Sequence, residues 1–438
     1  MSTDLKKHLV RAALAMGLIM GSSTALINLA DAAESASAQS NIANRIFKDL
    51  QSRVLQIELH PRGGGGNAAT GTGFVVSHDG LVLTNYHVVG NAVLEPDLYL
   101  LEYQAPGGQR GNMEVVAIDV IHDLALVRLS GARLPPLSFF KGTLAKGDRG
   151  YSLGYPLSQG LTVVEGTYNG LSENHYQPHF HMTTAINSGM SGGPTVTADG
   201  HVFGVNVARR LDGQLVSFVV PSRFGEELLR SYETAPLPAS GFKTEIARQL
   251  QIQAEAISAR LLSNSTGVKV LGNFRVQDMG SIGVECWSSP MREPEWRYEI
   301  DDHQCDSNSD VYINEQLMMG RVKYFNRILR SDKLGVARFA YLQSTRFEHK
   351  IDKDVDRKHL GPYECSDRIV ALKGTRARAV LCTRRYLQFP GMYDVILKLT
   401  TVDGKNEALL SKLTMLGFPW KDAMRVAQHY MESIAWVP

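Results

Sequence analysis

Short apolar runs separated by turn residues fill the stretch from residue 53 to residue 225. Three of the turns are Asp-Gly pairs, at Asp79-Gly80, Asp199-Gly200 and Asp212-Gly213, and each predicts a β-hairpin. Further strands are predicted at Leu98–Tyr103, Glu114–Ile121, Ala125–Leu129, Gly150–Leu153, Leu161–Tyr168 and Phe180–Ala185. Many short strands separated by turns are typical of a barrel or sandwich, so this stretch is predicted to be almost wholly β.

Helical spacing is found on either side of this stretch. Ile42, Ile46 and Leu50 recur at helical intervals and predict a short helix within residues 33–52. Prolines at 236 and 238 predict a linker over residues 236–240, which ends a first domain of residues 53–235. Residues 241–438 mix both patterns and predict an α+β domain of unknown role. Its predicted helices are Glu315–Leu329 and Trp420–Trp436, and its predicted strands include Arg368–Leu372, Ala379–Tyr386 and Tyr393–Val402.

The beginning of the chain has the pattern of a secretory signal. Lys6, Lys7 and Arg11 precede an apolar run, and small residues follow it at Ala30-Asp31-Ala32. A membrane anchor is the alternative, but glycines, serines and an asparagine interrupt the run, which is marginal for a span. We therefore predict a signal peptide over residues 1–32. The expected protein is exported, either periplasmic or secreted, with no stable membrane span after signal removal.

Charge and length exclude some classes of protein. The 46 basic and 44 acidic residues give a formal net charge of +2, without the basic stripe that nucleic-acid binding requires. A chain of 438 residues with 44% hydrophobic residues is long enough for two or three domains with their own cores. We therefore expect a globular protein with no nucleic-acid partner.

All four cysteines lie in the last third of the chain, at Cys286, Cys305, Cys365 and Cys382. In an oxidising compartment their expected state is the disulfide, and four cysteines allow three pairings. We favour the sequential pairing, Cys286 with Cys305 and Cys365 with Cys382, because short loops close easily. Zinc binding is the alternative, but the CxxC spacing typical of zinc sites is absent from the sequence.

Three polar residues in the β-rich stretch have the types needed for acyl transfer. A hydroxyl nucleophile needs a base, a carboxylate that orients the base, and backbone N–H groups that hold the oxyanion. Ser191 lies between glycines, His87 follows a predicted strand, and Asp123 precedes one. Their order along the chain is His, Asp, Ser, which differs from the order in subtilisin-type enzymes and α/β-hydrolases.

Five motifs in the right order give this stretch a resemblance to a known family. They are Gly71-Thr72-Gly73-Phe74, Thr84-Asn85-Tyr86-His87-Val88-Val89, Asp123-Leu124-Ala125-Leu126-Val127, Gly189-Met190-Ser191-Gly192-Gly193-Pro194 and Phe218-Val219-Val220-Pro221. Residues from about 53 to 225 resemble the trypsin-like serine proteases, nearest in pattern to the HtrA-type bacterial branch. The resemblance implies an all-β, chymotrypsin-like fold of two six-stranded barrels.

The same resemblance assigns roles to individual residues. It implies that Ser191 is the nucleophile, His87 the general base and then acid, and Asp123 the orienting carboxylate. The N–H groups of Gly189 and Ser191 would form the oxyanion hole. Val207, Ala208 and Arg209 would border the specificity pocket, and Ala185 would lie near its base.

The implied activity is a serine endopeptidase that cleaves protein or peptide substrates without a cofactor or metal. Trypsin has a carboxylate where this chain has Ala185, so a small or apolar substrate residue is expected in the pocket. The zymogen aspartate is replaced by Met190, which implies activity without a zymogen cleavage. The peptide-binding PDZ loop typical of HtrA-type proteins is not found in residues 241–438.

Three other interpretations remain open. The Gly189-x-Ser191-x-Gly193 pattern also fits the nucleophile elbow of lipases, but that elbow needs a following helix, whereas a hairpin is predicted here. His175, His179 and His181 are spaced closely enough to suggest a metal site, although loop histidines are usually just solvated. A catalytically silent binding or chaperone-like module on the same scaffold is the alternative from a different functional class.

Overall fold

The structure is a computed structural model that describes residues 42–437, except for 65, 67–68, 132, 173–175, 210–215, 264–266, 281–283 and 348–356. The predicted signal peptide and residues 33–41 therefore lie outside the described residues. Helix α1 covers residues 42–50, and its Ile46 and Leu50 are buried, as the helical spacing requires. A single 3-10 turn, Gln51–Arg53, connects it to the first strand.

Two closed barrels, each of six antiparallel strands, form the first part of the molecule. The strands of the first barrel follow the order β1-β2-β3-β6-β5-β4, and those of the second follow β10-β11-β12-β9-β8-β7. This confirms the predicted double barrel. The first barrel consists of β1 (Val54–Pro61), β2 (Ala69–Val75), β3 (Leu81–Thr84), β4 (Tyr99–Gln104), β5 (Arg110–Asp119) and β6 (Leu124–Leu129). The second consists of β7 (Arg149–Gly154), β8 (Thr162–Leu171), β9 (Phe180–Met182), β10 (Pro194–Val196), β11 (Val202–Arg209) and β12 (Ser217–Pro221).

Glycine explains the turns that the sequence predicted. Gly80 and Gly200 have φ angles of 90° and 81°, a left-handed conformation that residues with a side chain rarely adopt. They connect β2 to β3 and β10 to β11, which confirms two of the three Asp-Gly hairpins. The third, Asp212-Gly213, lies outside the described residues. Strand β9 is shorter than predicted and ends at Met182, after which the chain leads into the loop that carries Ser191.

The second part of the chain combines helices with sheets, which confirms the α+β prediction. A seven-stranded antiparallel sheet has the order β15-β16-β19-β23-β22-β21-β20, and a smaller sheet has the order β13-β14-β24. The helices after α1 are α2 (Tyr86–Leu94), α3 (Ser222–Thr234), α4 (Phe242–Leu261), α5 (Val336–Arg346) and α6 (Trp420–Ser433). The strands are β13 (Gly267–Leu271), β14 (Phe274–Asp278), β15 (Glu285–Met291), β16 (Glu299–Asp306), β17 (Val311–Asn314), β18 (Leu317–Met319), β19 (Val322–Arg330), β20 (Glu364–Leu372), β21 (Thr375–Arg385), β22 (Met392–Thr401), β23 (Glu407–Pro419) and β24 (Ala435–Trp436).

The predicted helix at Glu315–Leu329 is wrong, because this segment forms β18 and β19. Gly320 interrupts it with a φ of 82°, which a helix interior does not accommodate. In β19, the buried residues Val322, Tyr324 and Ile328 share one face at the two-residue period of a strand. The helix predicted at Trp420–Trp436 is confirmed as far as Ser433, while Ala435–Trp436 forms β24 and pairs with β14.

The structure pairs the cysteines sequentially, with disulfides between Cys286 and Cys305 and between Cys365 and Cys382. In each case the two cysteines are direct cross-strand partners, on β15–β16 and on β20–β21. Their Cα atoms are 4.1 Å and 4.0 Å apart. The strand register thus places the sulfur atoms next to each other, and the bonds fasten the two outermost pairs of the large sheet.

The second part of the chain packs directly on the first barrel. Helix α4 and the β17–β18 hairpin share one continuous apolar core with α2 and the first barrel. Two hydrogen bonds of the Gln249 side chain, on α4, reinforce this interface. It donates to the Ile118 carbonyl and accepts from the Val120 N–H. Within the described residues, no helix is long and apolar enough to cross a membrane.

Candidate active site

His87 and Asp123 form a close pair at the edge of the first barrel. The Nδ1 atom of His87 lies 2.6 Å from Oδ2 of Asp123, and the backbone N–H of His87 donates to Oδ1 at 2.8 Å. One carboxylate therefore fixes both the ring and the backbone of the histidine. The side chains are 29% and 19% exposed, so the pair is open to a cleft yet largely shielded from water. This is the geometry that an orienting carboxylate gives to an imidazole base.

The local backbone explains why these two residues meet. His87 is the second residue of α2, directly after β3, a helix that the sequence reading did not predict. Asp123 has a φ of 54°, which is uncommon for a residue with a side chain and marks a strained turn before β6. The Asp123 carbonyl accepts hydrogen bonds from the Tyr86 N–H and the Asn85 side chain. These bonds hold the turn against the start of the helix.

Two opposing effects act on the pKa of His87. Burial alone would lower it, because the imidazolium loses hydration. The negative charge of Asp123 and its hydrogen bond favour the protonated ring and outweigh burial, so the pKa of His87 is raised above its ordinary value. The imidazolium that forms when the ring accepts a proton is thus stabilised.

The loop around Ser191 depends on glycine at two positions. Gly189 and Gly192 have φ angles of 93° and 85°. A Cβ atom at Gly189 would lie 2.3 Å from the Tyr155 carbonyl oxygen, and one at Gly192 would lie 2.2 Å from the Thr72 carbonyl oxygen. Neither position has room for a side chain, so both glycines are required by conformation and by space.

Thr72 ties this loop to the first barrel. Its N–H donates to the Ser191 carbonyl at 2.8 Å, and its hydroxyl donates to the Gly189 carbonyl at 2.7 Å. The Gly189 carbonyl is thereby turned towards the barrel. Within the described residues, the N–H groups of Gly189 and Ser191 donate no hydrogen bond. Such unused donors are what an oxyanion hole requires.

The hydroxyl of Ser191 donates to the Val207 carbonyl at 3.2 Å and makes no hydrogen bond to His87 among the described contacts. Val207 lies at a bulge in β11, where the pairing with β12 shifts between Asn206 and Ala208. A bulge redirects the backbone at one residue, which here turns the Val207 carbonyl towards the serine. The hydroxyl of the candidate nucleophile is therefore hydrogen-bonded to a residue that lines the cleft.

The four predicted pocket residues are treated differently by the structure. Val207 lines the cleft together with His87. Ala185 is exposed and follows β9. The side chains of Ala208 and Arg209 lie outside the described part of the structure, so their contribution to the pocket stays a prediction.

The cleft at His87 has a volume of about 560 Å³, and residues of the second part of the chain form one side of it. These residues, which sequence reasoning missed, are Glu285, Asn308, Asp310, Tyr312 and Met318. They lie more than 150 positions beyond the histidine, and no local pattern marks them. Tyr312 and Met318 belong to the β17–β18 hairpin, which packs against α2, while Glu285 begins β15 and Asn308 and Asp310 precede β17.

A second histidine and carboxylate pair lies beside the first. Nδ1 of His122 is 2.7 Å from Oδ2 of Asp119, and the His122 N–H donates to Oδ1 at 3.1 Å. The His122 ring is stacked on Phe224, with ring centroids 3.6 Å apart. His122 also lines the cleft, but an aromatic ring covers one face of its imidazole.

The described residues contain one group with metal-ligand spacing, formed by Cys286, His303 and Cys305. Both of its sulfur atoms are joined in a disulfide, so they cannot act as thiolate ligands in this state. Of the histidines considered from the sequence, His179 lines the cleft, His181 pairs in β9, and His175 lies outside the described residues. No predicted metal site gains support from this arrangement of the described side chains.

Comparison with known proteins agrees with this geometry. Residues 71–205 match the family model of the trypsin-like peptidase domain, a span that includes His87, Asp123 and Ser191. A probable periplasmic serine endoprotease DegP-like of Chlamydia muridarum is 32% identical over 172 residues, 37% of this chain and 33% of the relative. Human serine protease HTRA4 is 32% identical over 194 residues, 42% of this chain and 39% of the relative. This chain therefore spans well under half the length of either relative.

Two solved structures are also similar to part of the chain. The serine endoprotease from Yersinia pestis has a TM-score of 0.38 and 22% identity, covering 43% of this chain and 65% of that one. Deg5 has a TM-score of 0.39 and 23% identity, covering 44% of this chain and 95% of that one. The family match and the curated relatives confirm the resemblance read from the five motifs: the double barrel matches the trypsin-like peptidase domain and is similar to serine proteases of the HtrA type.

Proposed function

We propose that this protein is an exported serine endopeptidase that cleaves protein or peptide substrates through an acyl-enzyme at Ser191. The observation that carries the proposal is the His87–Asp123 pair, with its 2.6 Å contact, on a cleft that Val207 also lines, because the Ser191 hydroxyl donates to the Val207 carbonyl. The loop's two unused N–H donors add the remaining part that acyl transfer needs. Among the curated relatives, the name of the Chlamydia muridarum protein supports export to the periplasm.

The proposed steps follow from the roles of these groups. His87 accepts the proton of the Ser191 hydroxyl as its oxygen attacks the substrate carbonyl, and the imidazolium is stabilised by Asp123. The N–H groups of Gly189 and Ser191 hold the oxyanion of the tetrahedral intermediate. His87 then donates the proton to the leaving amine, and water hydrolyses the ester by the same route. No cofactor is required in this sequence of steps.

One observation favours a second candidate, a silent or activator-dependent protease fold. The Ser191 hydroxyl bonds to the Val207 carbonyl instead of His87. Attack on a substrate requires the hydroxyl to leave this carbonyl and turn to the imidazole, and exposed side chains change rotamer rapidly. Because the His87–Asp123 pair and the unused N–H donors of the loop are both present, we favour the active enzyme.

A fluorophosphonate probe distinguishes the two candidates, because it reacts only with an activated serine. We expect the purified full chain to be labelled and the Ser191→Ala variant to remain unlabelled. Ser188→Ala is the matched control, because Ser188 is an exposed serine of the same loop and contributes only its carbonyl to a hydrogen bond. Folded wild-type protein that resists the probe under all conditions would replace the endopeptidase proposal with the silent module.

Activity is expected to fall on the acidic side with a midpoint above about 6.5, the ordinary pKa of histidine. His87 must be neutral to accept a proton, and Asp123 holds its pKa above the ordinary value, so the base is lost at a higher pH than for a free imidazole. The same raised pKa means that the pair stabilises the fold below the unfolded pKa, and that this contribution disappears as the pH rises through the folded pKa. The measurement is kcat/KM for a peptide between about pH 5 and pH 9; a midpoint below 6.5 would contradict the geometry.

A further inference from the structure

The β17–β18 hairpin forms one wall of the active-site cleft although it belongs to the second part of the chain. Tyr312 of β17 and Met318 of β18 line the same cleft as His87 and Val207. On the two strands these residues are cross-strand partners, so one face of the hairpin presents both side chains together. The cleft is thus built by two regions of the chain that are far apart in sequence.

The opposite face of the hairpin fixes its position on the helix that carries His87. Val311 and Ile313 alternate with Tyr312 along β17 and are buried in the core shared with α2. The Tyr86 hydroxyl, one residue before His87, donates to the Ile313 carbonyl at 3.3 Å. A Cβ atom at Gly90 would lie 3.1 Å from the same carbonyl, so α2 and the hairpin approach closely. The wall is therefore docked on the element that positions the catalytic histidine.

Tyr312 contacts the His87 ring directly. The two ring centroids are 5.9 Å apart with an interplanar angle of 75°, an edge-on arrangement. His87 thus has Asp123 on its Nδ1 side and an aromatic ring against the imidazole. Burial raises the pKa of Tyr312 to about 12, so the phenol stays neutral at the pH at which His87 titrates. A neutral ring in this place limits the tilt of the imidazole without adding a charge to it.

Apolar side chains from both regions line the cleft beside this contact, together with polar residues that include Glu285, Asn308 and Asp310. The apolar side chains of the protease domain are Val120, Ile121, Val207 and Phe218. Met318 lines the same cleft and is 42% exposed, although a methionine side chain is usually withdrawn from water. Methionine is flexible and polarizable, and it adapts to apolar groups of differing shape. Within the described residues, no lysine or arginine lines the cleft.

We infer that the β17–β18 hairpin completes a substrate subsite beside His87 that takes a bulky apolar side chain of the peptide. Met318 is a specificity-determining residue of this subsite, and Tyr312 is a positioning residue that acts through His87. The inference rests on the proposed endopeptidase function. The second part of the chain therefore takes a direct part in substrate choice.

The test measures cleavage by the full-length protein of two sets of peptides. They differ only in the residue that enters the subsite beside His87, which is either leucine or alanine. In wild type the leucine peptides are expected to have the higher kcat/KM. Met318→Ser is expected to reduce the leucine-to-alanine ratio by about 10-fold, the scale at which apolar pockets discriminate. Met318→Leu, which keeps an apolar side chain, is expected to retain the preference.

Tyr312 is tested by separating kcat from KM. Tyr312→Ala is expected to lower kcat by about 10-fold with a smaller effect on KM, because the imidazole loses its lateral contact. Tyr312→Phe keeps the ring and is expected to recover most of the lost kcat. Tyr341→Ala is the control, since Tyr341 lies on α5 and is 72% exposed.

The outcomes separate this inference from the proposed function. Fluorophosphonate labelling of wild-type Ser191 reports the nucleophile independently of peptide preference. If labelling succeeds but Met318→Ser leaves the leucine-to-alanine ratio unchanged, the subsite assignment is overturned while the protease remains. If Tyr312→Ala raises kcat/KM, the hairpin obstructs the cleft instead of completing it. Absence of labelling in the folded wild type rejects the proposed function itself.

Discussion

Replacing Asp123 with asparagine is expected to lower kcat by about 10⁴-fold while leaving the fold intact. In the wild type, the backbone N–H of His87 donates to Oδ1 of Asp123 at 2.8 Å. The asparagine oxygen can still accept this hydrogen bond. Its amide NH₂ would then face Nδ1 as a donor, so that the ring proton moves to Nε2. A ring protonated on Nε2 cannot accept the Ser191 proton. Steady-state kinetics on a peptide substrate, with circular dichroism as a check on folding, measures the effect.

The chain provides a closely matched control for this substitution. Asp119→Asn changes the neighbouring pair, in which Oδ2 lies 2.7 Å from Nδ1 of His122. The chemical change and its surroundings are therefore nearly the same, but the histidine is not the proposed base. We expect kcat within a few-fold of wild type. An equal loss in both variants would mean that Asp123 acts through general stability of the cleft and not through the tautomer of His87.

Gly189→Ala is expected to lower kcat by about 10²–10³-fold, the usual effect of losing an oxyanion-hole donor. Its φ of 93° disfavours alanine, and the new Cβ would lie 2.3 Å from the Tyr155 carbonyl oxygen. The loop must shift to relieve this overlap, which moves the Gly189 N–H away from the oxyanion. Strain of this kind also costs about 1–3 kcal/mol in the free energy of unfolding. Both quantities are accessible, from kinetics and from denaturant unfolding.

Gly107→Ala separates the two effects. Gly107 has a φ of 91°, but nothing lies within 4 Å of its missing Cβ, and it is part of the turn between β4 and β5. Alanine at this position therefore has the same backbone strain as alanine at 189 but no steric overlap. The position is also far from the serine loop in sequence. A loss of stability with normal kcat is the expected result. If Gly189→Ala were as active as Gly107→Ala, the assignment of the Gly189 N–H to the oxyanion hole would be wrong.

The secondary-structure prediction was wrong where the spacing of apolar residues was compatible with both a helix and a strand. The segment from Glu315 to Leu329 has apolar residues at spacings compatible with a helix, yet it pairs as β18 and β19. Pairing of β19 with both β16 and β23 in the large sheet decides its conformation. Such long-range pairing outweighs a weak local preference, and it cannot be read from the segment itself. The left-handed Gly320 was the one local sign against a helix.

The sequence by itself predicted an almost wholly β stretch with His87, Asp123 and Ser191 as candidates, and the resemblance carried by its five motifs implied the double barrel. Asp-Gly turns, short alternating strands and closely spaced glycine motifs are local features, and their order along the chain is specific. Tertiary structure alone decided what surrounds these residues. The contact of Tyr312 with His87, the position of Met318 and the bond from Ser191 to the Val207 carbonyl depend on packing between segments distant in sequence. Local patterns carry no record of such contacts, because burial and pairing are satisfied only when the whole chain has folded.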